Sequence, residues 1–239
     1  MNETFFYLLT LSFIFCLASS EDCPKQCRCY YHGGWYVICN NKNITNEDLV
    51  DIAKHLNPIK VKTLSLKENK ITDFQAKHFV KFTNLESIYL DGNFINRVPA
   101  NISLFIPSIK SLSLNTNRLG VVEQKDFEGY HSIEYLYIGE NGIENLEPNV
   151  FQKLSKLIKL DASGNALKTL KNGTFNNLER LNELNLDDND IETIETGVQS
   201  LIDVSLDRNK LNSVTLATFK DVENACKRSQ SHRIKFVYV

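Results

Sequence analysis

Asparagine falls at Asn69, Asn93, Asn117, Asn141, Asn165 and Asn189, an unbroken interval of 24 residues, and again at Asn209 after 20. A period of this length marks a chain that stacks copies of one short supersecondary unit, because no single copy can bury its own apolar face. The neighbours repeat with the asparagine. Relative to each one, positions −8, −5, −3, +2 and +5 are large and apolar in 34 of 35 slots, Ala162 being the exception, which separates the pattern from a merely asparagine-rich composition.

The blocks LSLKENKI (64–71), IYLDGNFI (88–95), LSLNTNRL (112–119), LYIGENGI (136–143), LDASGNAL (160–167), LNLDDNDI (184–191) and VSLDRNKL (204–211) carry the local logic. Apolar residues two apart with a polar one between have the period of a short, half-buried strand. The asparagine then turns the chain inward. Its buried amide offers two donors and an acceptor to backbone groups of its own and adjacent turns, so a ladder of asparagines is expected along the coil. Ten residues past the asparagine stand Phe79, Phe127, Phe151, Phe175 and Phe219, with Ser103 and Gln199 as exceptions. These rings are expected to stack into a spine under the convex side, with Leu104 substituting in the second repeat and the shortened sixth repeat lacking the feature.

The blocks resemble the LxxLxLxxNxL motif of the extracellular leucine-rich-repeat family over roughly residues 23–219. The resemblance implies an α/β leucine-rich-repeat solenoid: a curved right-handed coil with a parallel β-sheet on its concave face and an irregular or short helical convex side. Seven parallel strands at about 4.8 Å spacing give a sheet roughly 30 Å long, and its end coils need caps.

At the N-terminal end, Cys23, Cys27, Cys29 and Cys39 resemble the cysteine-flanked cap of secreted members of that family. Four cysteines allow three pairings, among which spacing does not choose; the resemblance implies Cys23–Cys29 and Cys27–Cys39. An oxidising compartment favours disulfides over a zinc site here. Trp35, Tyr36, Val37 and Ile38 read as a cap strand against the first coil. The other end departs from the family, with Cys226 alone, left to a disulfide-linked dimer or a free thiol, and with RIKFVYV (233–239) as a candidate strand over the last coil. A truncated or alternatively spliced chain is the competing explanation. The expected organisation is a signal peptide (1–20), a cysteine-rich cap (21–60), the repeat array (61–219) and an atypical end (220–239).

The signal peptide rests on the apolar run FFYLLTLSFIFCLA (5–18) and the small residues Ala18, Ser19 and Ser20, although no Lys or Arg precedes the run. The run is too short to span roughly 30 Å of hydrocarbon, so a secreted, extracellular product without stable membrane insertion is expected. Without residues 1–20 the chain carries 27 basic and 28 acidic residues, a balance that argues against a nucleic-acid partner. His32, His55, His78, His131 and His232 are never three or four apart, so neither a metal nor a cofactor is expected.

Positions −6, −4, −2 and −1 from each asparagine read as a map of the concave face. Its middle holds Tyr89, Tyr135 and Tyr137 with the small Ser111 and Ser113 between them; its C-terminal part is acidic, with Asp161, Glu183, Asp187, Asp188, Asp203 and Asp207, relieved by Lys159 and Arg208. Tyrosine brings large amphipathic area at low entropy cost, and an acidic stretch steers a basic partner. Sequons at Asn43, Asn101 and Asn172 permit glycosylation. The expected function is recognition of a protein, or a microbial glycan, in immunity or cell signalling; the alternatives are a matrix or adhesion protein, or an inhibitor that occludes an enzyme. No nucleophile elbow, phosphate-cradling loop or HExxH is present, and a shallow open sheet does not exclude water from a carboxylate pair, so no enzymatic activity is expected.

Overall fold

Strand, asparagine turn and return segment repeat through the computed structural model, which describes residues 23–195 and 203–211. The expected signal peptide, Gln199, Phe219, Cys226 and the segment 233–239 lie outside the described residues. The described residues open with an antiparallel hairpin, β1 (Arg28–Tyr31) and β2 (Trp35–Ile38), and continue through β3 (Val61–Ser65), β4 (Ser87–Tyr89), β5 (Ser111–Ser113), β6 (Tyr135–Tyr137) and β7 (Lys159–Asp161). Then come β8 (Thr169–Leu170), β9 (Glu183–Asn185), β10 (Thr193–Ile194) and β11 (Asp203–Ser205). One sheet runs in the order β1-β2-β3-β4-β5-β6-β7-β9-β11, parallel from β2 onward, while β8 and β10 pair separately. This is a leucine-rich-repeat solenoid.

Return segments are short and mostly irregular: α1 (Asn46–His55), α2 (Ile102–Phe105) and 3-10 turns at Ala76–Phe79 and Gln124–Phe127. The Asp48 carboxylate starts α1 by accepting the Thr45 N–H at 2.7 Å and its hydroxyl at 2.9 Å, and Leu49 and Ile52 bury the inner face of the helix. Disulfides join Cys23 to Cys29 and Cys27 to Cys39, tying the segment before the hairpin to both of its strands' ends.

Between the two sides lies one continuous apolar core. The strand-centre residues Leu64, Ile88, Leu112, Leu136, Leu160 and Leu184 stand in register and are sealed from solvent. The ladder asparagines close it. Asn141 donates to Ile138 O in its own turn and to Leu114 O in the preceding coil, both at 3.0 Å, and accepts the Leu119 N–H at 3.3 Å. Asn93, Asn117, Asn165 and Asn189 repeat the arrangement. Asn209 keeps it in spite of the short sixth repeat, donating to Leu186 O at 2.9 Å and accepting the Ile191 N–H at 3.0 Å. The four missing residues are therefore absorbed outside the strand-to-asparagine segment.

The residue before every ladder asparagine is left-handed: Glu68, Gly92, Thr116, Glu140, Gly164, Asp188 and Arg208 all have φ between 53° and 67°. Glycine adopts this conformation without cost, whereas a β-branched residue such as Thr116 is strained there.

The convex spine differs from expectation in the second repeat. Leu104 is 63% exposed, and Ser103 itself takes the inward position. Its Oγ accepts the Ser132 hydroxyl at 2.7 Å, and its N–H donates to Gly129 O at 2.9 Å, so a polar bridge replaces a ring. Helix α2 turns Ile102 inward and Leu104 outward. The spine is thus two stacks, Phe74, Phe79 and Phe82 on one side of the gap and Phe127, Phe151 and Phe175 on the other, with ring centroids 5.1–6.3 Å apart. Buried Tyr130 packs edge-on against Phe127 and donates to Pro99 O at 2.7 Å.

Asn141→Ala is expected to destabilise the fold by about 3 kcal/mol in urea denaturation, from several buried backbone groups left unpaired at ~1 kcal/mol each. A loss below about 1 kcal/mol would show that the ladder is not what satisfies them. Conversely, Thr116→Gly is expected to stabilise by about 0.5–1 kcal/mol, the left-handed penalty relieved less the entropy of glycine, and an unchanged melting temperature would refute the strain.

Candidate functional site

Parallel pairing turns the alternating strand residues into two outward rows across the concave sheet. One row runs Tyr36, Thr63, Ser87, Ser111, Tyr135, Lys159 and Glu183, with Asp203 next in backbone register; the other runs Ile38, Ser65, Tyr89, Ser113, Tyr137, Asp161, Asn185 and Ser205. Tyr89, Tyr135 and Tyr137 therefore share one face, with Ser111 and Ser113 on the strand between. Tyr135 is exposed, while Tyr89 and Tyr137 are half-buried and flank Ser113, which is nearly covered.

The face begins earlier than the repeats. Tyr30 pairs with Tyr36 across the cap hairpin, and their rings stack 5.1 Å apart, with His32 beside Tyr36. Neither tyrosine was among the candidates drawn from the repeats. Strand alternation within Trp35–Ile38 is enough to put Tyr36 on the concave side, whereas placing Tyr30 requires the antiparallel hairpin.

Electrostatics divides the face. From Tyr36 to Tyr137 both rows are uncharged, and charge enters at β7. There Lys159 Nζ lies 2.7 Å from Glu183, and this hydrogen bond holds the ammonium above its ordinary titration range. Burial pushes the Tyr137 phenol up, against the opposing pull of Lys159. Lys67, at the edge of the uncharged stretch, lies 4.9 Å from the Tyr89 ring centroid and 3.2 Å from Asp91 Oδ2.

Positions −2 and −1 leave the two strand rows. They lie past the strand ends, where −2 side chains serve the next coil: Asn115 accepts the Gly139 N–H and Asp187 the Asp207 N–H, both at 2.7 Å, as Asn40 of the cap accepts the Lys67 N–H at 3.1 Å. Asp187 is thereby held at the turn. Asp161 accepts the N–H and hydroxyl of Ser163, and Asp188 pairs with Arg208. The acidic stretch is hence partly engaged within the solenoid; Asp203 lies on β11 in register with Glu183, and Asp207 follows that strand.

Asn43, Asn101 and Asn172 are exposed and lie off the concave strands. The hydroxyls of their sequons have structural roles: Thr45 caps α1, Ser103 bridges to Ser132, and buried Thr174 donates to Lys171 O at 2.9 Å. Away from the sheet, a cleft of about 420 Å³ between α1 and the turn at Ala76–Phe79 is lined by Val50, Leu56 and Phe82 and edged by Lys54, His78 and Lys81.

Residues 107–167 match the family model for the leucine-rich repeat. Solved structures with the same fold include TLR13 in complex with ssRNA13, at 20% identity and a TM-score of 0.68 over 77% of this chain. They also include the Toll–Spatzle complex from Drosophila, at 22% identity and a TM-score of 0.56 over 73% of this chain. The chain spans 30% of the length of each of these proteins.

In an absorbance-monitored alkaline titration, Tyr137→Phe is expected to remove a component that ionises above the usual phenol range near 10. A folded-state pKa raised above the unfolded value means that the stability contribution is full below the unfolded pKa and is lost as pH rises through the folded one. The variant should therefore lose less stability than the parent at alkaline pH; equal losses would argue against burial of this phenol.

Proposed function

We propose that this leucine-rich-repeat solenoid is a secreted, extracellular binding module that recognises a protein ligand through its concave face, as a recognition component of immunity or cell signalling. The observation that carries this reading is the uncharged, tyrosine-bearing centre of the concave sheet, bounded by charge on the β7 side. Aromatic residues at a centre depleted of charge are the composition of an interface core, and a charged border steers approach and sets orientation. Tyr89, Tyr135 and Tyr137 are the anchors; Asp161 and Glu183, with Asp203 next in register, form the acidic border.

The fold by itself does not choose the ligand class, since one neighbour is solved with an RNA and another as a complex with Spatzle. Near-neutral net charge and an uncharged centre favour protein, because nucleic-acid binding relies on a row of cations along the contact. Glycans at Asn43, Asn101 and Asn172 would leave the concave face open. A binding role rather than catalysis accords with an open sheet, which does not enclose a reacting group away from water.

Affinity capture from native extracellular fluid tests this reading. The parent chain is expected to retain a protein that a Tyr89→Ser, Tyr135→Ser, Tyr137→Ser variant loses, with circular dichroism confirming that the variant is folded. Equal capture by both would sink concave recognition.

A further inference from the structure

We infer that the uncharged stretch from β2 to β6 docks a proline-rich segment of the protein partner, laid across the strands as a polyproline II helix with its basic end over β7 to β11. This rests on the protein-binding reading above and names the chemistry of the partner.

The first observation is a period. One row alternates large and small side chains from strand to strand, Ile38 on β2, Ser65 on β3, Tyr89 on β4, Ser113 on β5 and Tyr137 on β6, while the other carries Tyr36, Thr63, Ser87, Ser111 and Tyr135. The first of these rows is therefore a set of ridges, two of them tyrosines, and shallow valleys that repeats every second strand, and the other row adds a tyrosine at each end. At ordinary strand spacing the ridges recur about every 9.6 Å along the sheet. A polyproline II helix makes one turn in three residues of ~3.1 Å each, about 9.3 Å, so successive turns drop into successive valleys. An extended strand repeats a face every ~6.8 Å and an α-helix has a pitch of ~5.4 Å, and neither keeps step with the ridges.

The second observation concerns what the valleys offer. The Ser65 hydroxyl donates to Asn40 Oδ1 at 2.7 Å, and the Ser113 hydroxyl donates to the Asp91 carboxylate. With those protons committed inside the solenoid, the valley floors at Ser65 and Ser113 ask for no acceptor and accommodate an apolar ring. A sugar seated there would leave its own hydroxyls poorly matched. Tyrosine phenols on the ridges supply the donors that a polyproline II backbone, with no internal hydrogen bonds, can accept.

Charge sets the ends. The stretch from β2 to β6 covers four strand steps, about 19 Å, or about six residues of polyproline II. No formal charge stands in its two rows, and the next strands bring Asp161, Glu183 and Asp203 against the single paired Lys159. A neutral body followed by a basic end is the complement.

The test uses the whole chain and a synthetic peptide of about six prolines followed by two arginines, titrated calorimetrically. Tyr89→Ser and Tyr135→Ser are each expected to weaken binding about tenfold, the loss of one aromatic anchor. Tyr31→Ser, whose exposed ring packs on Trp35 on the other face of the cap hairpin, is expected to leave it unchanged. Replacing the two arginines with glutamates should also weaken binding. Absence of peptide binding, or binding indifferent to Tyr89→Ser in a variant shown to be folded, overturns the inference. So does tyrosine-dependent binding of a neutral glucose oligosaccharide with none of the peptide. Should the peptide fail while a native protein is still captured in a tyrosine-dependent way, the recognition reading stands and this inference alone falls.

Discussion

Every coil of this solenoid depends on one kind of hydrogen-bonded group, the amide of a buried asparagine bridging two turns of backbone. A coil that bends inward after each three-residue strand strips water from its own carbonyls and N–H groups before any regular ladder can take them up, and such groups are costly to leave bare. The asparagine side chain supplies donors and an acceptor at that corner. Its amide donates to its own coil and to the one before, so it also sets how far apart the coils stand. The left-handed residue that precedes it is the local geometric condition for that reach. Even the shortened sixth repeat preserves both features, which identifies the strand-to-asparagine segment as the invariant part of each coil and the return segment as the part that tolerates change.

That division places the candidate site. With the core sealed by strand-centre leucines below and asparagines at the corner, only the alternating strand residues are free to vary on the concave side. Parallel register then converts variation along the sequence into rows across a surface. The surface is wide and shallow, suited to an extended ligand that touches many strands weakly rather than a small one held in a pocket. The aromatic and uncharged half lies toward the cap, and the cap hairpin extends it with the stacked Tyr30 and Tyr36.

Much of this was legible in the residues. The tyrosines at Tyr89, Tyr135 and Tyr137 were placed by counting back from an asparagine, because a strand's period is two and the coil's register is fixed by its leucines. The same count overreached at positions −2 and −1, where the strand has ended and the side chains turn along the solenoid; Asp187 bonds a neighbouring coil's backbone instead of standing on the strand rows. On the convex side, Leu104 is hydrophobic and adjacent to the expected slot, yet it faces solvent because α2 fixes which residue points inward, and the slot is filled by Ser103 bonded to Ser132. Hydrophobicity proposes a candidate for burial, and the local helical phase disposes of it.

The sequence by itself determined the repeat, its core positions, the asparagine ladder and the face on which variable residues would gather, because all of these follow from short-range periodicity within one coil. Only the tertiary structure decided what happens between coils and at their ends: that the Ser65 and Ser113 hydroxyls are already committed to Asn40 and Asp91, that acidic residues near the C-terminal end are partly engaged, and that the cap adds two rings to the concave face. Those outcomes depend on groups 20 to 25 residues apart meeting across stacked turns, or on Tyr30 and Tyr36 meeting across an antiparallel hairpin, and such partners leave no mark in the spacing of any single repeat.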